Sequence, residues 1–132
     1  MGEFYSYPPV RHFLLLGDIM YAVIFEVEPK PEGRTEYLEI AAVLSKDLEM
    51  MDGFISIERF QSLTNEGKLL ALSFWRDEAA VTAWRNQTNH RHAQEKGYNQ
   101  LFADYRLRVA EVQRDYTKLN REEAPQDAPI ES

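Results

Sequence analysis

An α+β domain in the order β-α-β-β-α-β is predicted for this chain by three observations. A run of β-branched and aromatic residues opens the body of the sequence, a helical stripe and an alternating hairpin follow, and a second alternating stretch comes near the end. In the first strand, Met20-Tyr21-Ala22-Val23-Ile24-Phe25-Glu26-Val27, nearly every residue suits a pleated surface, and Pro29-Lys30-Pro31-Glu32-Gly33 supplies the turn that ends it. From Thr35 the apolar residues Tyr37, Ile40, Ala41, Leu44, Leu48 and Met51 recur at intervals of three, four and seven, the mark of one apolar helix face. Phe54–Phe60 then alternates at period two. Thr64-Asn65-Glu66-Gly67 reads as a turn leading into Lys68–Trp75, so the two runs form a hairpin.

The second helix is expected to be broken in its middle. Asp77 can cap a short segment carrying Ala80, Val81 and Trp84, and Asn89 can cap another that runs from His90 to a stop at Gly97. Leu101–Tyr116 reads as a long last strand with Leu107 and Val109 on one face and Arg106 and Arg108 on the other. Met1–Ile19 reads as an appended arm, with Met20 as an alternative start. Residues 117–132, with Glu122, Glu123 and Asp127 and no apolar period, read as a disordered tail. The order of elements folds into a ferredoxin-like unit, a four-stranded antiparallel sheet with both helices on one face. The other sheet face then needs cover, which a homodimer would supply.

Composition narrows the function. The chain has 132 residues, 44% of them hydrophobic, enough for one core. Its 15 basic and 22 acidic residues give a net charge of −7, which argues against nucleic acid or an anionic membrane as a partner. It has no cysteine, which removes disulfide, thiolate and iron–sulfur chemistry. The apolar stretch at residues 12–27 is divided by Gly17-Asp18 and is too short to span a bilayer, so the expectation is a cytoplasmic protein.

The residues Glu26-Val27, Asp52-Gly53-Phe54-Ile55-Ser56, Ser73-Phe74-Trp75-Arg76-Asp77-Glu78-Ala79-Ala80, Trp84 and His90 together resemble the antibiotic biosynthesis monooxygenase family over about Met20–Tyr116. The resemblance implies a dimeric α/β barrel. It also implies a pocket between sheet and helices in which a small aromatic or polyketide-like substrate loses a proton and reduces dioxygen directly, with no cofactor or metal. On that reading His90 is the catalytic base, since histidine titrates near neutral pH. Trp84, Trp75 and Phe25 wall the pocket, and Asn86, Tyr105 or Arg106 orients a substrate oxygen.

Bland readings stand beside these. Trp84 and Trp75 also fit as plain core residues, His90 as a helix-start residue, and the alternating arginines as cross-strand ion pairs. The pair His90 and His92 points to different sides of a helix, which is poor geometry for a metal. Two rival functions remain. In the haem-degrading branch of the family the ligating histidine falls ten positions after the tryptophan, where this chain has Gln94, and the first strand lacks that branch's asparagine; His90 and His92 are the alternative ligands. The second rival is a non-catalytic dimer that binds a small molecule.

Overall fold

The computed structural model describes residues 19–94 and 98–127, apart from the side chains of residues 88–94, 98 and 99. Six principal elements follow in order: β1 (Tyr21–Pro29), α1 (Arg34–Glu49), β2 (Phe54–Gln61), β3 (Leu69–Trp75), α2 (Glu78–Gln94) and β4 (Phe102–Glu111). The strands form one sheet in the order β2-β3-β1-β4, and every neighbouring pair is antiparallel. This is the split β-α-β-β-α-β arrangement the pattern predicts. Among the described residues no helix is long and apolar enough to cross a membrane.

Register sorts the strand residues into two faces. Val23 lies opposite Ser73 on one side and Val109 on the other, and Phe25 lies between Ala71 and Leu107. Because side chains alternate, Tyr21, Val23, Phe25 and Val27 share an inner face with Leu69, Ala71, Ser73, Trp75, Tyr105, Leu107, Val109 and Glu111. Both helices pack on this face. Leu48 of α1 and Ala80 and Val81 of α2 join Val23, Ile57, Ala71 and Trp75 in one core cluster, and Tyr37 and Ala41 join Val27 and Leu69 in another.

The α1 stripe holds, with one polar exception. Tyr37, Ala41 and Leu48 are buried, and so is Ser45. Ser45 is satisfied twice over: its hydroxyl donates to the Ala41 carbonyl at 2.9 Å and accepts from Arg59 Nη1 at 2.9 Å. Met51, expected on the stripe, lies beyond the end of the helix.

In β2 the plain alternation expected for Phe54–Phe60 is interrupted by a bulge. Phe54 pairs with Trp75 and Ser56 with Phe74, which leaves Ile55 as the extra residue. Phe54 and Ile57 thereby both reach the inner face, where the Phe54 ring stands edge-on to Trp75 at 5.4 Å. The β2–β3 loop is held from within. Gln61 Nε2 lies within 3.5 Å of the carbonyls of Ser62, Asn65, Glu66 and Lys68, while its Oε1 accepts from Arg34, an arrangement that also settles which end of the amide is which.

The expected break in the second helix is absent. The backbone of α2 stays helical through Asn89 to Gln94, which makes His90 an interior helical position and not a helix start. An Asn side chain offers a cap, but a break there would orphan backbone groups, and Arg85, Gln87, Arg91 and Gln94 around it are good helix formers. The cap at Asp77 is as expected: its carboxylate accepts the Ala80 N–H at 2.9 Å. Gly97 and residues 1–18 lie outside the described residues.

The last strand is shorter than Leu101–Tyr116. It is an edge strand paired only with β1, so the ladder ends where β1 begins, with Glu111 opposite Tyr21 and one further hydrogen bond from the Val112 N–H to the Met20 carbonyl at 2.9 Å. Residues 112–127 then run without helix or strand. Turns close from Thr117 to Asn120 and from Ala124 to Arg121, the Asp115 N–H donates to Glu123, and Arg121 lies 5.0 Å over the Tyr116 ring.

A polar junction ties the start of α2 to the α1–β2 turn. Arg76 grips Asp52 with two hydrogen bonds of 3.1 and 2.9 Å, reaches Asp77 at 3.1 Å, and donates its backbone N–H to the Gly53 carbonyl at 2.8 Å. Gly53 adopts φ +86°, and a Cβ built on it would lie 2.5 Å from Ala80 Cβ. Both the backbone angle and the close approach therefore demand glycine. Gly53→Ala is expected to destabilise the fold by about 2–4 kcal/mol, the sum of left-handed strain and a forced displacement of α2. Urea denaturation measures this, and a loss below about 0.5 kcal/mol would mean the junction shifts freely.

The same junction sets a pH dependence. The Ala80 N–H, and then Arg76, hold the Asp77 carboxyl below the usual carboxylate range. A carboxyl whose folded pKa lies below its unfolded value stabilises at neutral pH, and that stability drains away as the pH falls through the folded value. Thermal stability is thus expected to fall below about pH 4. Asp77→Asn keeps a capping oxygen, removes the titration and flattens that fall; melts followed by circular dichroism from neutral to acid pH would refute this if the two slopes coincide.

Candidate functional site

On the inner face the helices cover β2, β3 and β1 and, among the described residues, leave β4 from Tyr105 onward open, although Tyr37 of α1 reaches Phe102 at its start. Val23 and Val27 are each 1% exposed, whereas their β4 partners Val109 and Tyr105 are 47% and 58% exposed, and Leu107 between them is 44% exposed. The result is an apolar shelf along the helix side of β4, bordered by the half-buried Phe25 of β1. From Tyr105 to Glu111 it runs about 20 Å at the usual rise per strand residue.

The two ends of the shelf differ. At one end Phe25, Phe102 and Tyr105 form an aromatic cluster with ring separations of 5.8–6.2 Å, anchored to α1 where Tyr37 meets Phe102 at 5.5 Å. At the other end the Tyr21 hydroxyl donates to Glu111 Oε1 at 3.1 Å. Burial, then the adjoining Glu111 and the more distant Glu78 in the first turn of α2, raise the Tyr21 hydroxyl above the usual phenol value.

Across β1 from the shelf lies the helix-covered core. Trp75 is fully enclosed, meets Trp84 at a tilt of 36° with centroids 5.6 Å apart, and donates its indole N–H to the buried Ser73 hydroxyl at 2.9 Å. Tyr37, pushed up by burial and pulled back by Arg59, packs in the neighbouring cluster.

The residues singled out from sequence are thus divided. Phe25 and Tyr105 come together at the aromatic end of the shelf. Trp84 is half-buried on α2 against Trp75, and Trp75 itself is closed inside the core, with no surface to offer a ligand. Asn86 is exposed on α2, two positions beyond Trp84 and therefore turned away from its face. Arg106 lies opposite Glu26 on the outer face, the far side of the sheet from Phe25 and Tyr105. His90 belongs to the backbone of α2, and its side chain lies outside the described residues. Sequence reading assigns Leu107 and Val109 to one strand face but does not mark it as the open one, and it passes over Tyr21 and Glu111. Their signal is parity, since Glu111 falls in the same alternation as Leu107 and Val109.

The outer face carries Ile24, Leu70, Leu72 and Phe74, half-buried, and Phe60, exposed. Among them Glu26 is paired with Lys68 at 3.4 Å and Arg108 at 2.8 Å. The hydrogen bond from Lys68, with Arg108 beside it, holds the Glu26 carboxyl below the usual range.

Comparison with known proteins agrees with this architecture. The family model described as antibiotic biosynthesis monooxygenase matches residues 20–96. The chain is 47% identical over 93 residues to the jasmonate monooxygenase ABM of Pyricularia oryzae, a match that covers 70% of this chain and 43% of that protein. It is 34% identical over 94 residues to YqjZ of Bacillus subtilis, covering 71% of this chain and 80% of that one. Among solved structures, a conserved protein from Methanosarcina mazei superposes with a TM-score of 0.61 at 18% identity, over 70% of this chain and 91% of the other, a likeness of fold. On the family match and these identities, the chain belongs to the antibiotic biosynthesis monooxygenase family.

Proposed function

We propose that this protein is a monooxygenase that oxidises a small aromatic or polyketide-like compound with dioxygen and without a cofactor, on the shelf along β4. The observation that carries this reading is the uncovered apolar strip of Tyr105, Leu107 and Val109 beside Phe25, in a family of monooxygenases. Such a strip suits a flat apolar substrate, whose bound face it shields from water.

The chemistry asks little of the protein. A base takes a proton from an acidic CH₂ next to a carbonyl, and the carbanion passes its electrons to dioxygen. One oxygen atom stays in the substrate as a new carbonyl and the other leaves as water with the two hydrogens of the CH₂, so the substrate supplies all four electrons. His90 on α2 serves as the base in this proposal. The reading without haem is supported by Gln94 at the position where the haem-degrading branch has histidine, and by a first strand without asparagine.

Oxygen uptake with a panel of anthrones, hydroquinones and jasmonate, the compound named for the fungal relative, tests the proposal. Uptake is expected with at least one of them, reduced about 10²–10⁴-fold by His90→Ala and at least tenfold by Leu107→Asp. No uptake across the panel would remove the oxygenase reading.

The outer face belongs to a second copy of the chain in this proposal. Ile24, Leu70, Leu72 and Phe74 form an apolar patch that no helix covers among the described residues, and two such sheets meeting face to face would bury it. Sedimentation equilibrium is expected to give a dimer for the full chain and a monomer for Leu72→Glu; a wild-type monomer at micromolar concentration would refute the assembly.

A further inference from the structure

The shelf has a chemically distinct end that the oxygenase reading leaves without a task. We propose that Tyr21 and Glu111 form a head-group site that selects ligands bearing a hydrogen-bond donor at one end of an apolar body and rejects those bearing an anion there. This rests on the reading that the shelf is where substrate lies.

The geometry supports it in three ways. Tyr21 and Glu111 are cross-strand partners on the inner face, in line with Val109 and Leu107, so an apolar body lying on those two residues brings its end to the pair. The Tyr21 proton is already committed to Glu111 Oε1, at 3.1 Å. Among the described residues, what the pair leaves to face a ligand is acceptor capacity: the remaining lone pairs of the Glu111 carboxylate and of the Tyr21 oxygen. The third support is charge. Glu78, in the first turn of α2, acts electrostatically on Tyr21 from the helix side, and the nearest strand arginines, Arg106 and Arg108, lie on the outer face, with Arg108 committed to Glu26. An alcohol, phenol or ammonium head is therefore accepted, and a carboxylate head is repelled. A substrate carrying a carboxylate would lie with it toward the aromatic end.

The test uses two probes that share one apolar body, 2-naphthol and 2-naphthoate, titrated at pH 7 against the full chain by isothermal calorimetry. Wild type is expected to bind the naphthol at least about tenfold more tightly, the discrimination given by one charge-assisted hydrogen bond. Glu111→Gln should narrow that ratio to within about threefold, chiefly by tightening naphthoate, and Tyr21→Phe should weaken naphthol while leaving naphthoate unchanged. Leu107→Asp should abolish binding of both. Each variant is first required to melt within a few degrees of wild type. A ratio near one in wild type, or one that Glu111→Gln does not move, while Leu107→Asp still abolishes binding, overturns the head-group site and leaves the shelf standing. Binding untouched by Leu107→Asp, or no binding of either probe to wild type, overturns both.

Discussion

The pairing of β1 with two neighbours is the constraint on which the rest of the molecule depends. Lying between β3 and β4, β1 hands its inner residues to two environments at once. Toward β3 they meet Trp75, Ser73, Ala71 and Leu69 under the helices, and toward β4 they meet Glu111, Val109, Leu107 and Tyr105 in the open. Seating α1 and α2 over one side of the sheet completes a core around Val23 and Val27 and, among the described residues, leaves the fourth strand open from Tyr105 onward. Core and candidate site are two halves of one sheet face.

Two polar groups inside that core are paired. Trp75 brings an indole N–H into a fully enclosed position, and the hydroxyl of Ser73, two residues earlier on the same strand face, accepts it. Arg59 reaches up from β2 to Ser45 on α1 in the same spirit. The first bond lies within β3 and the second joins β2 to α1, so rotating α1 would strand the Arg59 donor as well as expose apolar surface.

Much of this was legible in the sequence. The apolar spacing from Tyr37 to Leu48, the hairpin turn, the Asp77 cap and the opposed faces of Leu107 and Arg108 are local patterns, and local patterns survive folding when tertiary contacts agree with them. The misreadings came where non-local geometry decides. Nothing in Phe54-Ile55-Ser56-Ile57 announces a bulge, because it exists to bring Phe54 onto Trp75, a partner about twenty residues away. The length of β4 is set by where β1 starts, and the persistence of α2 through Asn89 by the whole helix and not by one cap. In the same way Trp75 reads as a pocket wall until its burial is seen, and Glu111 reads as one more surface acid until its register with Tyr21 is known.

The approach of Gly53 to Ala80 bears on how this chain can drift. With 2.5 Å between a would-be Cβ and the one already present, the two positions form a single steric unit that joins the turn after the first helix to the first turn of the second. Enlarging Ala80 closes the space from the helix side just as surely as adding a methyl at Gly53 does from the turn. Neither can change alone without displacing the other, so relatives that keep this junction should show the two sites evolving as a coupled pair, small with small.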